Sequence, residues 1–126
     1  MMATMIYTSD MNDGKHIFVF GSNEAGRHVA GAALTAKRSW GAKQGDGIGR
    51  TGQAYAIPTK DRRLRTLPVE TIAGFAEYFR WYAENHPELT FLLTKIGCGL
   101  VGHSEPTIAP IFRDFPSNVV QPYWDV

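Results

Sequence analysis

Two glycine-rich loops, each placed between an apolar run and a helix-like stretch, constrain this chain more than any other feature. The first is Phe20-Gly21-Ser22-Asn23-Glu24-Ala25-Gly26-Arg27-His28-Val29-Ala30-Gly31-Ala32-Ala33, and the second is Lys95-Ile96-Gly97-Cys98-Gly99-Leu100-Val101-Gly102-His103. Glycine lets backbone N–H groups turn toward a ligand and lets the ligand come close. A helix that follows adds unpaired N–H groups and the positive end of its dipole. Two such loops in one small domain predict a cleft for a phosphate-bearing small molecule, a nucleotide derivative.

The stretches between the loops read as alternating strands and helices. His16–Phe20 is a continuous β-favouring run that stops at Gly21, which predicts a buried strand. Gly31–Ser39 is rich in helix formers, and Trp40-Gly41 closes it. Gly41–Gly52 is a second concentration of glycine and predicts a mobile loop. Gln53–Ile57 reads as a strand ended by Pro58. Pro68–Asn85 is the clearest helix, with Ile72, Phe75, Phe79 and Tyr82 on one stripe. Leu89–Ile96 is a further strand running into the second glycine loop. Ser104-Glu105-Pro106 is a cap signal for a short helix through Phe112 or Arg113, and Val119–Pro122 reads as a last strand. Met1–Asp13 is irregular, with a short edge strand expected at Met5–Thr8. The order predicts one α/β domain over residues 1–126, with a mostly parallel central sheet and helices on both faces, a three-layer αβα arrangement. In such sheets ligands sit at the carboxyl ends of strands, where both glycine loops fall.

Composition narrows the partners. The 126 residues favour a single domain, and 44% hydrophobic content can fill a core. Thirteen basic against twelve acidic residues leave a net charge of +1, which gives no electrostatic case for wrapping long nucleic acid. No run approaches a membrane span, so no membrane partner is expected. The single cysteine, Cys98, excludes an internal disulfide and fits a reducing compartment. With no visible signal peptide, the expected location is the cytoplasm. No Cys/His spacing for zinc is present, and neither a metal nor a cofactor is expected.

Gly97-Cys98-Gly99-Leu100-Val101-Gly102 is a literal G-x-G-x-x-G, but it lies too near the end of the chain to open a dinucleotide-binding half. No G-x-x-x-x-G-K-[ST] occurs. A closer match is the macro domain. After a buried strand, macro domains carry an asparagine, a glycine-rich run and a sequence like V-D-G-A-I entering a helix. Here Phe20-Gly21-Ser22-Asn23 precedes Gly26-Arg27-His28 and Val29-Ala30-Gly31-Ala32-Ala33. Their late loop, like I-S-T-G-V-F-G-Y-P before a helix, resembles Lys95–His103 followed by Ser104-Glu105-Pro106. Tyr55–Pro58 falls where such a domain has its central strand, so the likeness spans most of residues 16–122. The chain resembles a compact, divergent macro-like protein of bacterial or phage type.

That resemblance implies binding of ADP-ribose or a related nucleotide, free or attached to a macromolecule. Gly21, Ser22 and Asn23 would bind the ligand, with Asn23 near the distal ribose. Gly26, Arg27, Gly31 and Ala32 would flank the diphosphate, and Gly97, Cys98, Gly99, Leu100, Val101 and Gly102 would close over it. Two activities fit: hydrolysis of ADP-ribosyl linkages, with Asn23 and His28 as catalytic residues, or non-catalytic binding that sequesters a nucleotide signal. The sequence departs from the family at Ala30, where many hydrolytic macro domains have an acid, and at Arg27 and His28, which replace glycines. His16 stands where an aspartate often meets adenine.

Each candidate also has a plainer role. Asn23 suits a turn that caps backbone. His28 has the chemistry of a general acid or base, or is a surface loop residue. Arg27 pairs with phosphate or is merely solvated. Cys98 is a nucleophile if His103 reaches it, or else a small residue beneath a tight loop. Lys60 and Asp61 belong to the cleft edge or to a solvated turn, and the basic run Lys60, Arg62, Arg63 and Arg65 to an anion-facing rim or a solvated loop. His103 and Glu105 touch a ribose, or Ser104 and Glu105 cap a helix. Trp40 and Trp81 are expected in the core. Tyr123 and Trp124 dock the tail or stack on a base.

Overall fold

Strand β1 (His16–Asn23) is the axis of the molecule, because its residues alternate cleanly between two hydrophobic cores. Ile17 and Val19 point to one side, Phe18 and Phe20 to the other, and all four are 5% exposed or less. The computed structural model describes residues 13–99 and 102–126; the strand expected at Met5–Thr8 and the loop residues Leu100 and Val101 lie outside the described residues.

The other elements, in chain order, are α1 (Gly31–Ser39), β2 (Gly49–Thr51), β3 (Ala54–Lys60), α2 (Val69–Glu84), β4 (Thr90–Leu93), α3 (Glu105–Phe112) and β5 (Val119–Val120). Among the described residues the sheet has five strands in the order β2-β3-β1-β4-β5. Every pairing is parallel except β2 with β3. The protein is thus α/β with a mostly parallel mixed sheet, compatible with a three-layer αβα fold.

Helix α1 covers the Phe18/Phe20 face. Its Ala33 and Ala36 pack there with Ala54, Ala56 and Leu92. Trp40, 1% exposed, stacks on Phe18 at 5.3 Å between ring centroids. The small alanines let the helix lie close to the sheet, and the two large rings fill what remains. Helices α2 and α3 cover the other face, where Phe79, Ile108 and Phe112 meet Ile17, Val19, Phe91 and Leu93. Each fully buried Phe, Ile or Leu contributes about 1.5–3 kcal/mol relative to exposure.

Three expectations need correction. The Gly41–Gly52 stretch is not simply a loop: Gly49–Thr51 pairs antiparallel with Ala54–Ala56 as the edge strand β2. Pro58 does not end its strand, because β3 runs on to Lys60. Pro58 lies past the last β2 pairing at Ala56 and before the bridge of Lys60 to Thr66, so a residue without an N–H is tolerated there. Trp81 is 59% exposed rather than core, because the buried line of α2 runs through Ile72, Ala76, Phe79 and Ala83. Two residues past Phe79 puts Trp81 about 200° round the helix. Phe75 and Tyr82 are partly buried against the same core.

The tail is docked through Trp124 and through the Asp125 N–H, which donates to Glu105 Oε1 at 2.7 Å. Trp124 stacks over Phe112 at 6.2 Å and its Nε1–H donates to Gln121 Oε1 at 2.9 Å, while Tyr123 is 69% exposed. No helix among the described residues is long and apolar enough to cross a membrane.

Candidate functional site

A cleft of about 510 Å³ opens at the carboxyl ends of β1, β3 and β4. Gly21, Ser22 and Asn23 reach it from β1. Arg27, Val29 and the start of α1 from Ala30 to Ala33 form one wall. Thr59, Lys60 and Leu64 come from the end of β3 and its following turn, and Thr94–Cys98 come from the segment after β4. The connection leaving β1 runs through α1 on one face, and the connection leaving β4 runs through α3 on the other. Neighbouring strands whose connections diverge in this way leave a crevice between their ends, and the cleft occupies it.

The first glycine loop owes its shape to Asn23. The Asn23 Nδ2 donates to Arg27 O and the Arg27 N–H donates to Asn23 Oδ1, each at 2.9 Å. The Gly26 N–H donates to Asn23 O at 2.9 Å, closing the turn. A shift in the β1–β3 register between Ser22 and Asn23 starts the departure from the sheet. Asn23 therefore serves as a turn residue that caps backbone, and through it Arg27 is held at the cleft wall.

A second segment, Lys43–Gly47, clasps that loop from behind. Gly45 N–H donates to Gly26 O, His28 N–H to Gln44 Oε1, and Ser22 Oγ to Gly47 O. The fit leaves no room for a side chain at Gly26 or Gly47. A Cβ on Gly47 would fall against Asn23 O, and one on Gly26 against the Gly45 carbonyl carbon. Gly26 also sits at φ +71°, which an L side chain resists.

His28 belongs to this clasp and not to the cleft lining. It is fully buried, its Nε2 lies 3.0 Å from Asp46 O, and its ring meets Phe20 edge-on at 5.2 Å. Its Nδ1 has no hydrogen-bond partner among the described residues. The surface-loop reading is thereby corrected, and a general acid–base role would require His28 to reach a cleft from which it is walled off. Gly26, Gly99 and Gly102 also fall outside the lining.

The cleft's charge is one-sided. Arg27, Lys60 and Lys95 line it, and no Asp or Glu does among the described residues. Lys95 is balanced by Glu105, with Nζ and Oε1 3.0 Å apart. That contact and the Asp125 N–H hold the Glu105 carboxyl below the usual carboxylate range, the backbone bond being the larger cause. No ion pair engages Arg27 or Lys60 among the described residues. Beside them α1 begins without a side-chain cap and with no acid in its first turn. The first N–H groups of a helix have no intrahelical acceptor, so this wall presents backbone donors as well as cations.

The hydroxyls at the cleft floor are committed to structure. Thr59 Oγ1 donates to Ser22 O at 3.2 Å and Thr94 Oγ1 to Val19 O at 2.7 Å. Cys98 lines the cleft, but burial pushes its thiol up to about 11, with Glu105 adding to the rise, and its Sγ lies 3.7 Å from Ile96 O. His103 Nε2 is engaged with Leu67 O at 2.9 Å. The environment thus keeps the Cys98 sulfur as a neutral thiol.

Sequence reasoning missed Val29, Ala30, Thr59, Leu64, Thr94, Lys95 and Ile96 as cleft residues, and weighed Lys60 only as an edge. The position of Thr59, Lys60 and Thr94 at strand carboxyl ends was the available signal. No protein-family model, no curated protein and no solved structure matches the chain.

Proposed function

We propose that the protein is a macro-like domain that binds ADP-ribose or a related nucleotide derivative in this cleft, free or attached to a macromolecule. The observation that carries the reading is the cleft's polarity: three cationic side chains and a bare helix start, with no carboxylate on the lining among the described residues. An anion held by backbone amides and one or two cations needs no net positive charge on the chain. The order of the two glycine loops around β1 and β4 agrees with the macro-like resemblance. The lone cysteine fits a reducing compartment, and the cytoplasm is the proposed location.

Between hydrolysis and plain binding, the geometry favours binding. Asn23 uses its amide on the Arg27 backbone, His28 is walled off, and Cys98 is a neutral thiol. Among the described residues no carboxylate stands in the cleft to activate water. Calorimetric titration with ADP-ribose, with AMP and NAD as controls, tests the reading. Saturable and selective ADP-ribose binding without release of ribose products is expected; absence of binding to all three removes the nucleotide reading.

A further inference from the structure

Leu64 is the one non-glycine residue with a positive φ (+64°) among the described residues, and it lines the cleft. Left-handed backbone is unfavourable for a leucine and persists only where its surroundings impose it. Here Asp61 imposes it. Its Oδ1 accepts from the Arg63 and Arg65 N–H groups at 2.8 and 2.9 Å, and its Oδ2 accepts from Arg65 Nε at 2.9 Å. The Leu64 N–H donates to Asp61 O, and the Asp61 N–H to Arg65 O. A five-residue turn with this much internal bonding holds an aliphatic side chain in the open, 42% exposed. A second exposed aliphatic group, Val29 at 65%, lines the same cleft from the first glycine loop. The two turns are tied, since Glu24 N–H donates to Lys60 O and Arg62 Nη1 to Glu24 O.

Exposed aliphatic side chains on a cationic cleft gain nothing from an inorganic anion, and they lose solvent contact favourably against an apolar surface. From this we infer that Leu64 and Val29 are the specificity-determining contacts of the cleft, packing on the flat face of a nucleobase carried by the same ligand whose anionic group meets Arg27 and Lys60. This rests on the anion-binding reading above and adds to it the part of the ligand that discriminates nucleotides from simple phosphates.

The test compares Leu64→Gly, Val29→Ser and the double variant with the unaltered protein, titrating ADP-ribose, ribose 5-phosphate and pyrophosphate. Glycine suits the left-handed turn, so Leu64→Gly is expected to keep or raise the melting temperature while removing the side chain. Expected is a preference for ADP-ribose over the two base-free anions that falls about tenfold in each single variant, with affinity for pyrophosphate unchanged. A preference that survives in the double variant overturns this inference and leaves anion binding standing. Failure of the unaltered protein to bind any of the three overturns both.

Discussion

Asn23 and Arg27 are joined by two hydrogen bonds that run in opposite directions between one side-chain amide and one residue's backbone, each 2.9 Å long. Asn23 is 8% exposed, so neither bond is easily replaced by water. Asn23→Ala is expected to destabilise the protein by about 2 kcal/mol, the cost of stranding backbone groups in a part-buried turn. It should also weaken ligand binding through Arg27. Asn23→Asp keeps the acceptor for the Arg27 N–H but sets a carboxylate against Arg27 O, and should not rescue. Thermal melts and titration of the two variants check this; wild-type affinity in Asn23→Ala would show that Arg27 holds its place unaided.

The glycine clasp makes a purely steric prediction. Gly47→Ala should destabilise by about 1–3 kcal/mol or more, since the added methyl meets the Asn23 carbonyl and not a flexible side chain. Gly26→Ala adds the left-handed backbone cost of about 1 kcal/mol to a similar clash. Gly74→Ala is the control: its Cβ meets nothing within 4 Å and it lies inside α2, so a gain of about 0.5–1 kcal/mol is expected. Urea denaturation of the three variants orders them, and a neutral Gly47→Ala would mean that the two loops can separate.

Arg27 and Lys60, free of ion pairs among the described residues, should carry the salt dependence of binding. Arg27→Ala and Lys60→Ala are each expected to weaken binding about tenfold at low salt and to flatten its dependence on ionic strength. Lys95→Ala should act less, because it also uncovers Glu105. Titrations at two salt concentrations decide it.

Cys98 should be sluggish toward alkylating agents. A thiol raised from an ordinary value of 9.0 to about 11 holds about a hundredfold less thiolate at pH 8. The sign follows from burial disfavouring the charged form, so the alkylation rate should keep climbing through pH 10 instead of levelling near pH 9. A rate that levels there would mean that the thiol titrates as if it were solvated.

Much of this architecture is legible in the sequence, and the reason is its unbroken apolar runs. His16–Phe20 and Leu89–Ile96 are unbroken β-favouring runs and they hold β1 and β4, although β1 runs on through Gly21 to Asn23 and β4 stops at Leu93. β2 was not legible, because three residues that begin on Gly49 and run into Gly52 carry no periodicity and are defined only by pairing with Ala54–Ala56. The first glycine loop was legible as a cleft wall, since Arg27, Gly31 and Ala32 all line it. The fate of His28 was not. Its burial depends on Gln44 and Asp46, 16 and 18 residues away, and no local pattern announces that contact. Leu64 was invisible for a similar reason: its exposure comes from Asp61 bonding forward to Arg63 and Arg65, which turns the chain in a way that a polar, basic stretch does not advertise.

A helix that starts as α1 does is unfinished on its own. Ala30, the residue in the capping position, has no side-chain oxygen to offer, so it gives the first amides no side-chain acceptor. An anion seated there would act as an N-cap delivered from outside the chain. Occupancy and the order of the first helical turn then become a single equilibrium, visible as slowed amide exchange at Ala32 and Ala33 when ligand is added. A serine at position 30 would supply the cap from within. Ala30→Ser should therefore steady the empty protein by about 1 kcal/mol and, by the same amount of competition, loosen its hold on whatever it was built to catch.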